Sequence, residues 1–185
     1  KYYLDLENQH YYVYDSYSKQ QIPLEYKSSD RRLIDVVKTI GANSQNLVYC
    51  ASKRKVLELA IEYAKTLPNI NNPKLITLSN DVKSDVHEQC YLADLILKGV
   101  AYHVGYLPAN IRLRIEKSFE DGDLKTIFCT STLIEGINLP ADNLFISSYK
   151  NGLSNMNEVE FKNLIGRVGR IKYNLYGNVF LVRDD

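Results

Sequence analysis

LVYCASKRKVLELAIEYAK, Leu47 to Lys65, decides the fold. Its first five residues, Leu47 to Ala51, form a short β-type apolar run without alternation, the pattern of a strand covered on both faces. Ser52 then offers a side-chain oxygen to the first amides of a helix, and Val56, Leu57, Ala60, Ile61 and Ala64 mark that helix's inner side up to Pro68. A buried strand running straight into an amphipathic helix is the unit from which parallel sheets are built.

The same rhythm recurs along the chain. Residues 1 to 26 are rich in tyrosine with partial alternation around Tyr11, Val13 and Tyr14, which predicts a short hairpin or lead-in strand over 1–28. A helix follows from Ser29 or Asp30 through Leu33, Ile34, Val37 and Ile40 to Gly41, with Asp30 as its expected cap. Residues 69 to 98 are less regular, and a helix over Val86 to Lys98 is expected there. Gly99 to His103 reads as a strand, Pro108 opens a helix that Gly122 closes, and Thr126 to Cys129, Asn143 to Ser147 and Gly177 to Val182 read as further strands. The expected fold is an α/β sandwich with a mainly parallel central sheet, in which ligands gather at the carboxyl ends of the strands.

Composition narrows the classes. The 185 residues suffice for one full core, and one domain over 1–185 is the expectation. Lys+Arg of 23 against Asp+Glu of 22 leaves a net charge of +1, so an attraction to nucleic acid has to come from local placement of charge. Cys50, Cys90 and Cys129 are widely separated with apolar neighbours, and are expected as buried free thiols with neither a disulfide nor a zinc site. No apolar run has the length of a membrane span and no leader opens the chain, so a cytoplasmic location without membrane contact is the expectation. The start at Lys1, without methionine, suggests an excised piece of a larger protein.

The chemistry-bearing segments follow the strands. Ser52-Lys53-Arg54 sets a hydroxyl and two cations at a helix start, where free amides favour a phosphate; a plain cap with solvated charges is the alternative. Thr130 to Asn138 carries hydroxyls and then Gly136, where a backbone can approach a ligand, and Asn138 can bond a hydroxyl. In NLIGRVGR, Asn163 to Arg170, a helix from near Asn157 would send Phe161, Leu164, Ile165 and Val168 inward and Asn163, Arg167 and Arg170 outward, a face suited to an anion such as a nucleotide phosphate; a solvated face that happens to carry two arginines is the alternative.

These segments carry a family resemblance. LVYCASKRKVLELA resembles motif IV of superfamily-2 helicases, CTSTLIEGINLPA resembles motif V, and NLIGRVGR resembles motif VI, while GVAYHVGYLPANIRLRIEKSFEDG is similar to the segment before motif V in the Ski2-like and related DExH groups. The resemblance covers most of residues 46 to 182 and implies a RecA-like three-layer sandwich, the second motor domain of an ATP-dependent helicase. It implies that Arg167 and Arg170 reach nucleotide phosphates, Arg170 as the finger on the γ-phosphate, and that Gly136, Asn138 and Asn163 lie at the nucleotide. Thr130, Ser52 and Lys53 would contact a DNA or RNA backbone, with His103 and Gly105 in a loop near that track. Asn163 stands where motif VI usually opens with glutamine or histidine, and Glu135 where the Ski2-like group often has a small residue. The chain contains neither a G-x-x-x-x-G-K-[ST] phosphate loop nor a DExD/H box, so ATP and Mg2+ would be held by an upstream RecA-like domain and this chain alone is not expected to hydrolyse ATP. The alternative is a non-catalytic module of the same fold that binds nucleic acid or protein.

Overall fold

In the computed structural model the strand that opens LVYCASKRK is β4, Asn46–Tyr49, and all four of its residues are buried. The structure describes residues 2–5, 10–15, 18–27, 32–133, 141–148, 150–151, 154–166 and 177–182, without the side chains of 2–5, 10–15, 22–27, Thr132 and Asn151. β4 is paired along both edges, because it sits centrally in a five-stranded sheet with β5 (Val100–His103), β6 (Thr126–Cys129), β7 (Asn143–Ile146) and β10 (Asn178–Leu181). The order is β10-β7-β4-β6-β5 and every pairing is parallel, so the carboxyl ends of all five strands share one edge. The α/β architecture with a parallel sheet is the one expected.

Helices occupy the crossovers. Helix α1 spans Leu33–Gly41, α2 Lys53–Lys65, α3 Pro73–Asp85, α4 Tyr91–Ile96, α5 Ala109–Glu120 and α6 Glu158–Ile165. Helix α2 lies against β5 and β6 and touches α1 and α4, while α3 packs on α4 and α5. The core joins Val36, Val48, Val56, Ile111, Phe119, Phe128 and Phe145, all fully enclosed. Tyr63 of α2 meets Phe128 of β6 with ring centroids 5.8 Å apart, and Phe145 stacks on Phe180 at 4.9 Å across β7 and β10.

Several expectations are revised in detail. Arg32, without a side-chain cap bond, holds the N-cap position of α1, while Asp30 lies outside the described residues. Gly41 is the last residue of α1 and not a left-handed stop: a Cβ there would stand 2.7 Å from Asn46 Oδ1, so glycine provides room for that amide. Gly122, by contrast, has φ of 83° just after α5, the left-handed residue that closes a helix. The single helix expected over Val86 to Lys98 is replaced by α3, which ends at Asp85, and the short α4. Asn72 starts α3 by accepting the Lys74 amide at 2.9 Å with Pro73 in the first turn, and Leu75, Leu78, Ser79 and Val82 form its buried stripe.

Three further strands precede α1. β1 (Tyr2–Asp5), β2 (His10–Asp15) and β3 (Gln20–Lys27) form an antiparallel sheet in that order, larger than a hairpin, and β1 lies against β10. A small antiparallel pair, β8 (Lys150–Asn151) and β9 (Ser154–Asn155), follows β7, and the Tyr49 hydroxyl donates to the Lys150 carbonyl at 2.9 Å. No described helix is long and apolar enough to cross a membrane.

Candidate nucleotide and nucleic-acid interface

The carboxyl edge of the sheet is built from the residues that leave its strands. After β4, Ser52 turns the chain with φ −141° and ψ 151° and accepts the Lys55 amide at 3.3 Å, so it caps α2 as expected. Lys53 and Arg54 stand exposed in the first turn. Arg54 is bonded through Nε to Glu58 Oε1 at 2.7 Å, which raises its pKa, whereas Lys53 places its ammonium 5.8 Å from the centroid of the Tyr106 ring. The two cations of the motif therefore differ: one is tied along its own helix, the other leans toward the loop after β5.

That loop begins at His103, and its imidazole points inward. The side chain is 1% exposed and Nε2 lies 2.7 Å from Glu116 Oε1 of α5, itself buried. Nδ1 has no partner. Burial, as the largest cause, lowers the His103 pKa; Glu116 opposes the shift and Arg112 adds to it. The ring is therefore neutral near physiological pH, with its proton on Nε2 donated to the carboxylate and a lone pair at Nδ1. An imidazolium would leave a buried N–H unpaired at Nδ1 as well as pay for desolvation. His103 thus fixes the loop root from within, and the exposed members of the loop are Gly105 and Tyr106.

After β6, Cys129 is buried and Thr130 is 8% exposed, with its carbonyl accepting the Leu133 amide at 3.2 Å in a turn of 3₁₀ helix over Ser131–Leu133. Gly136 and Asn138 lie outside the described residues. The ends of β4 and β6 are joined by the Cys50 amide donating to the Cys129 carbonyl at 2.9 Å. Burial and the nearby Cys50 push the Cys129 thiol well above the ordinary range, so it is inert. Cys50, Cys90 and Cys129 are not joined in disulfides; Cys90, expected buried, is half-buried, and its Sγ lies 3.7 Å from the Tyr102 hydroxyl.

After β7, Ser147 donates its hydroxyl to the Tyr49 carbonyl at 2.9 Å. Helix α6 then starts at a capping box: Asn157 Oδ1 accepts the Glu160 amide at 2.9 Å and Glu160 Oε2 accepts the Asn157 amide at 2.7 Å. Leu164 is buried, Phe161 and Ile165 are partly so, and Asn163 is exposed, which matches the inner and outer faces expected up to that point. The described helix ends at Ile165 with Gly166 as its C-cap, and Arg167, Val168 and Arg170 lie outside the described residues. A cavity of about 470 Å³ opens beside α6 at the ends of β7 and β10, lined by Ile146, Met156, Phe161, Leu181 and Val182 with Ser147 and Glu158.

The structure thus brings Ser52, Lys53, Gly105 and Thr130 to one edge and turns the His103 ring away from it. Sequence reasoning missed Tyr106 and Glu116. An aromatic next to an exposed glycine was a signal for the first; for the second, only its place one helical turn after Arg112 on α5 was visible. Among the described residues no group of three or more His, Cys, Asp or Glu is arranged to hold a metal ion.

Comparison with known proteins fits this geometry. The family described as helicase conserved C-terminal domain matches residues 29–172. The chain is 31% identical over 143 residues to the ATP-dependent DNA helicase Hel308 of Thermoplasma acidophilum, covering 75% of this chain and 20% of that protein. It is 30% identical over 193 residues to Hel308 of Methanococcus vannielii, covering 97% of the chain and 26% of the relative. A probable ATP-dependent DNA helicase HFM1 of Xenopus tropicalis is 30% identical over 163 residues, 84% of the chain and 12% of the relative. The chain therefore spans between 12% and 26% of the length of these curated relatives. With its parallel sheet, its cap at Ser52 and the ordered segments on one edge, the chain belongs to the helicase conserved C-terminal domain family, as the C-terminal domain of a superfamily-2 helicase.

Proposed function

We propose that this chain is the second motor half of an ATP-dependent DNA helicase or translocase, working against an upstream RecA-like domain that holds the nucleotide. The observation that carries the reading is the convergence of Ser52, Lys53, Gly105 and Thr130 on the carboxyl edge of a parallel sheet in a helicase C-terminal domain. DNA is the favoured substrate because the similar proteins are named DNA helicases.

In this reading Arg170 stabilises charge on the γ-phosphate and Arg167 binds beside it, with Gly136, Asn138 and Asn163 lining the nucleotide side of the cleft. Arginine fingers supply on the order of 10³ to 10⁵ in rate in other nucleotidases. Ser52, Lys53 and Thr130 contact the DNA backbone, and Gly105 lets that backbone approach the loop after β5. His103 acts here as a positioning residue, holding the loop root through Glu116.

Magnesium falls to the partner domain. The described carboxyl edge offers hydroxyls, amides and Lys53 rather than a cluster of carboxylates, so its donor set suits phosphate oxygens and not a divalent cation.

The test is separation and rejoining. The 185-residue chain alone should neither hydrolyse ATP nor bind it with micromolar affinity in calorimetry, and DNA-stimulated hydrolysis should appear in the polypeptide that joins it to a domain with a phosphate loop. Micromolar ATP binding by the chain alone, or a joined polypeptide that binds DNA without hydrolysis, would overturn the motor reading, the second in favour of a non-catalytic module.

A further inference from the structure

Tyr106 is 54% exposed, although its neighbours Val104 and Leu107 are buried. Tyr102, on β5, is 4% exposed, and its hydroxyl lies 3.7 Å from Cys90 Sγ. The Lys53 ammonium lies 5.8 Å from the centroid of the Tyr106 ring.

The topology makes this contact informative. Lys53 follows β4 and Tyr106 follows β5, yet these strands are not neighbours, because β6 lies between them. The Lys53–Tyr106 pair consequently arches over the carboxyl end of β6, where Thr130 leaves the sheet. Strands about 4.8 Å apart put the two anchors roughly 10 Å from each other, a distance two long side chains close comfortably. An exposed cation–π contact of this kind is weak, so the ammonium can leave the ring for a phosphate without a large penalty. The result is an exposed flat aromatic face beside a transferable cation, on the edge that carries the other backbone-binding groups.

We propose that Tyr106 is a base-stacking residue for single-stranded nucleic acid, with Lys53 taking the adjoining phosphate when the base occupies the ring. The assignment rests on the reading of the carboxyl edge as a nucleic-acid track. It adds to that track a contact that senses bases rather than phosphates, and one tolerant of sequence because every base has a π-face.

The experiment compares two single-stranded oligonucleotides of equal length and charge, one with bases and one abasic, binding at low ionic strength to the polypeptide that carries this chain. The wild type should prefer the strand with bases by about 5- to 150-fold, the range of aromatic–base stacks. Tyr106→Ala should bring the strand with bases down to the abasic level, Tyr106→Phe should keep the preference, and Lys53→Ala should weaken both strands. Equal binding of the two strands by wild type would overturn the stacking role while leaving the backbone track intact. Loss of the preference in Tyr106→Phe would assign the contact to the hydroxyl and also overturn it. Failure of both strands to bind would remove the track itself. Matching thermal melts of the variants would show that the effects are not unfolding.

Discussion

Asn143 donates its side-chain amide to Asn46 Oδ1 at 3.0 Å, and the two residues face each other as the first register pair of β7 and β4. The contact belongs to a ladder. Asn178 of β10 donates to Asn143 Oδ1 at 2.9 Å, and Asn46 Nδ2 donates to Thr126 Oγ1 of β6 and to the carbonyls of Gly41 and Ser44. Four parallel strands are thus tied at their amino ends by side chains that are almost wholly enclosed at Asn46, Asn143 and Thr126. A slip of one residue would bury these amides without partners, so the ladder fixes register at the pole opposite the carboxyl edge.

Asn143→Ala removes the middle of this ladder and leaves Asn46 Oδ1 and the Asn178 amide without it. We expect a loss of about 2–4 kcal/mol, from two orphaned groups at roughly 1–3 kcal/mol each with Asn178 partly relieved by water. Urea denaturation checks it, and a double-mutant cycle with Asn46→Ala should show strong coupling. Additive effects of the two substitutions would refute the ladder.

Acid should weaken the fold through His103. Burial lowers its pKa below the ordinary 6.5, so as pH falls the unfolded chain takes up the proton first. The neutral histidine's contribution to stability is full above about 6.5, declines from there down to the folded value, and is flat below it. Denaturation midpoints followed from about pH 8 to about pH 5 should fall on the acid side, and His103→Gln should flatten that part of the profile. An unchanged slope in His103→Gln would assign the acid sensitivity elsewhere.

Helix α6 has only eight residues, and its capping box therefore carries an unusual share of its stability. Asn157→Ala should cost about 1 kcal/mol. The effect should be local: amide hydrogen exchange should accelerate within α6 and stay unchanged in β4 and α2. Uniform acceleration over the chain would show that the cap supports the whole fold rather than the base of the NLIGRVGR run.

The strand–helix units were legible where a single local pattern suffices. Leu47 to Ala51 has no polar interruption and Ser52 is an unambiguous cap, so β4 and α2 appear where the residues place them. Helix α3 was harder to read, because its polar face dilutes the stripe of Leu75, Leu78 and Val82, and its start rests on Asn72-Pro73. The Asn46–Asn143–Asn178 ladder could not be read at all, since the strand order brings together residues far apart in sequence. The His103–Glu116 pair likewise depends on α5 packing beside β5, and it turns inward a residue whose type suggests a surface contact. Of the motif residues, Ser52, Lys53, Gly105, Thr130 and Asn163 have a described place, while Gly136, Asn138, Arg167 and Arg170 do not.

The central claim is that this domain completes an ATP site held by another. Its most direct test is the DNA-stimulated ATPase rate of the joined polypeptide, wild type against Arg170→Ala, with DNA binding measured in parallel. A loss in rate on the order of 10³-fold or more with DNA affinity retained is expected. An Arg170→Ala protein that hydrolyses ATP at the wild-type rate would contradict it.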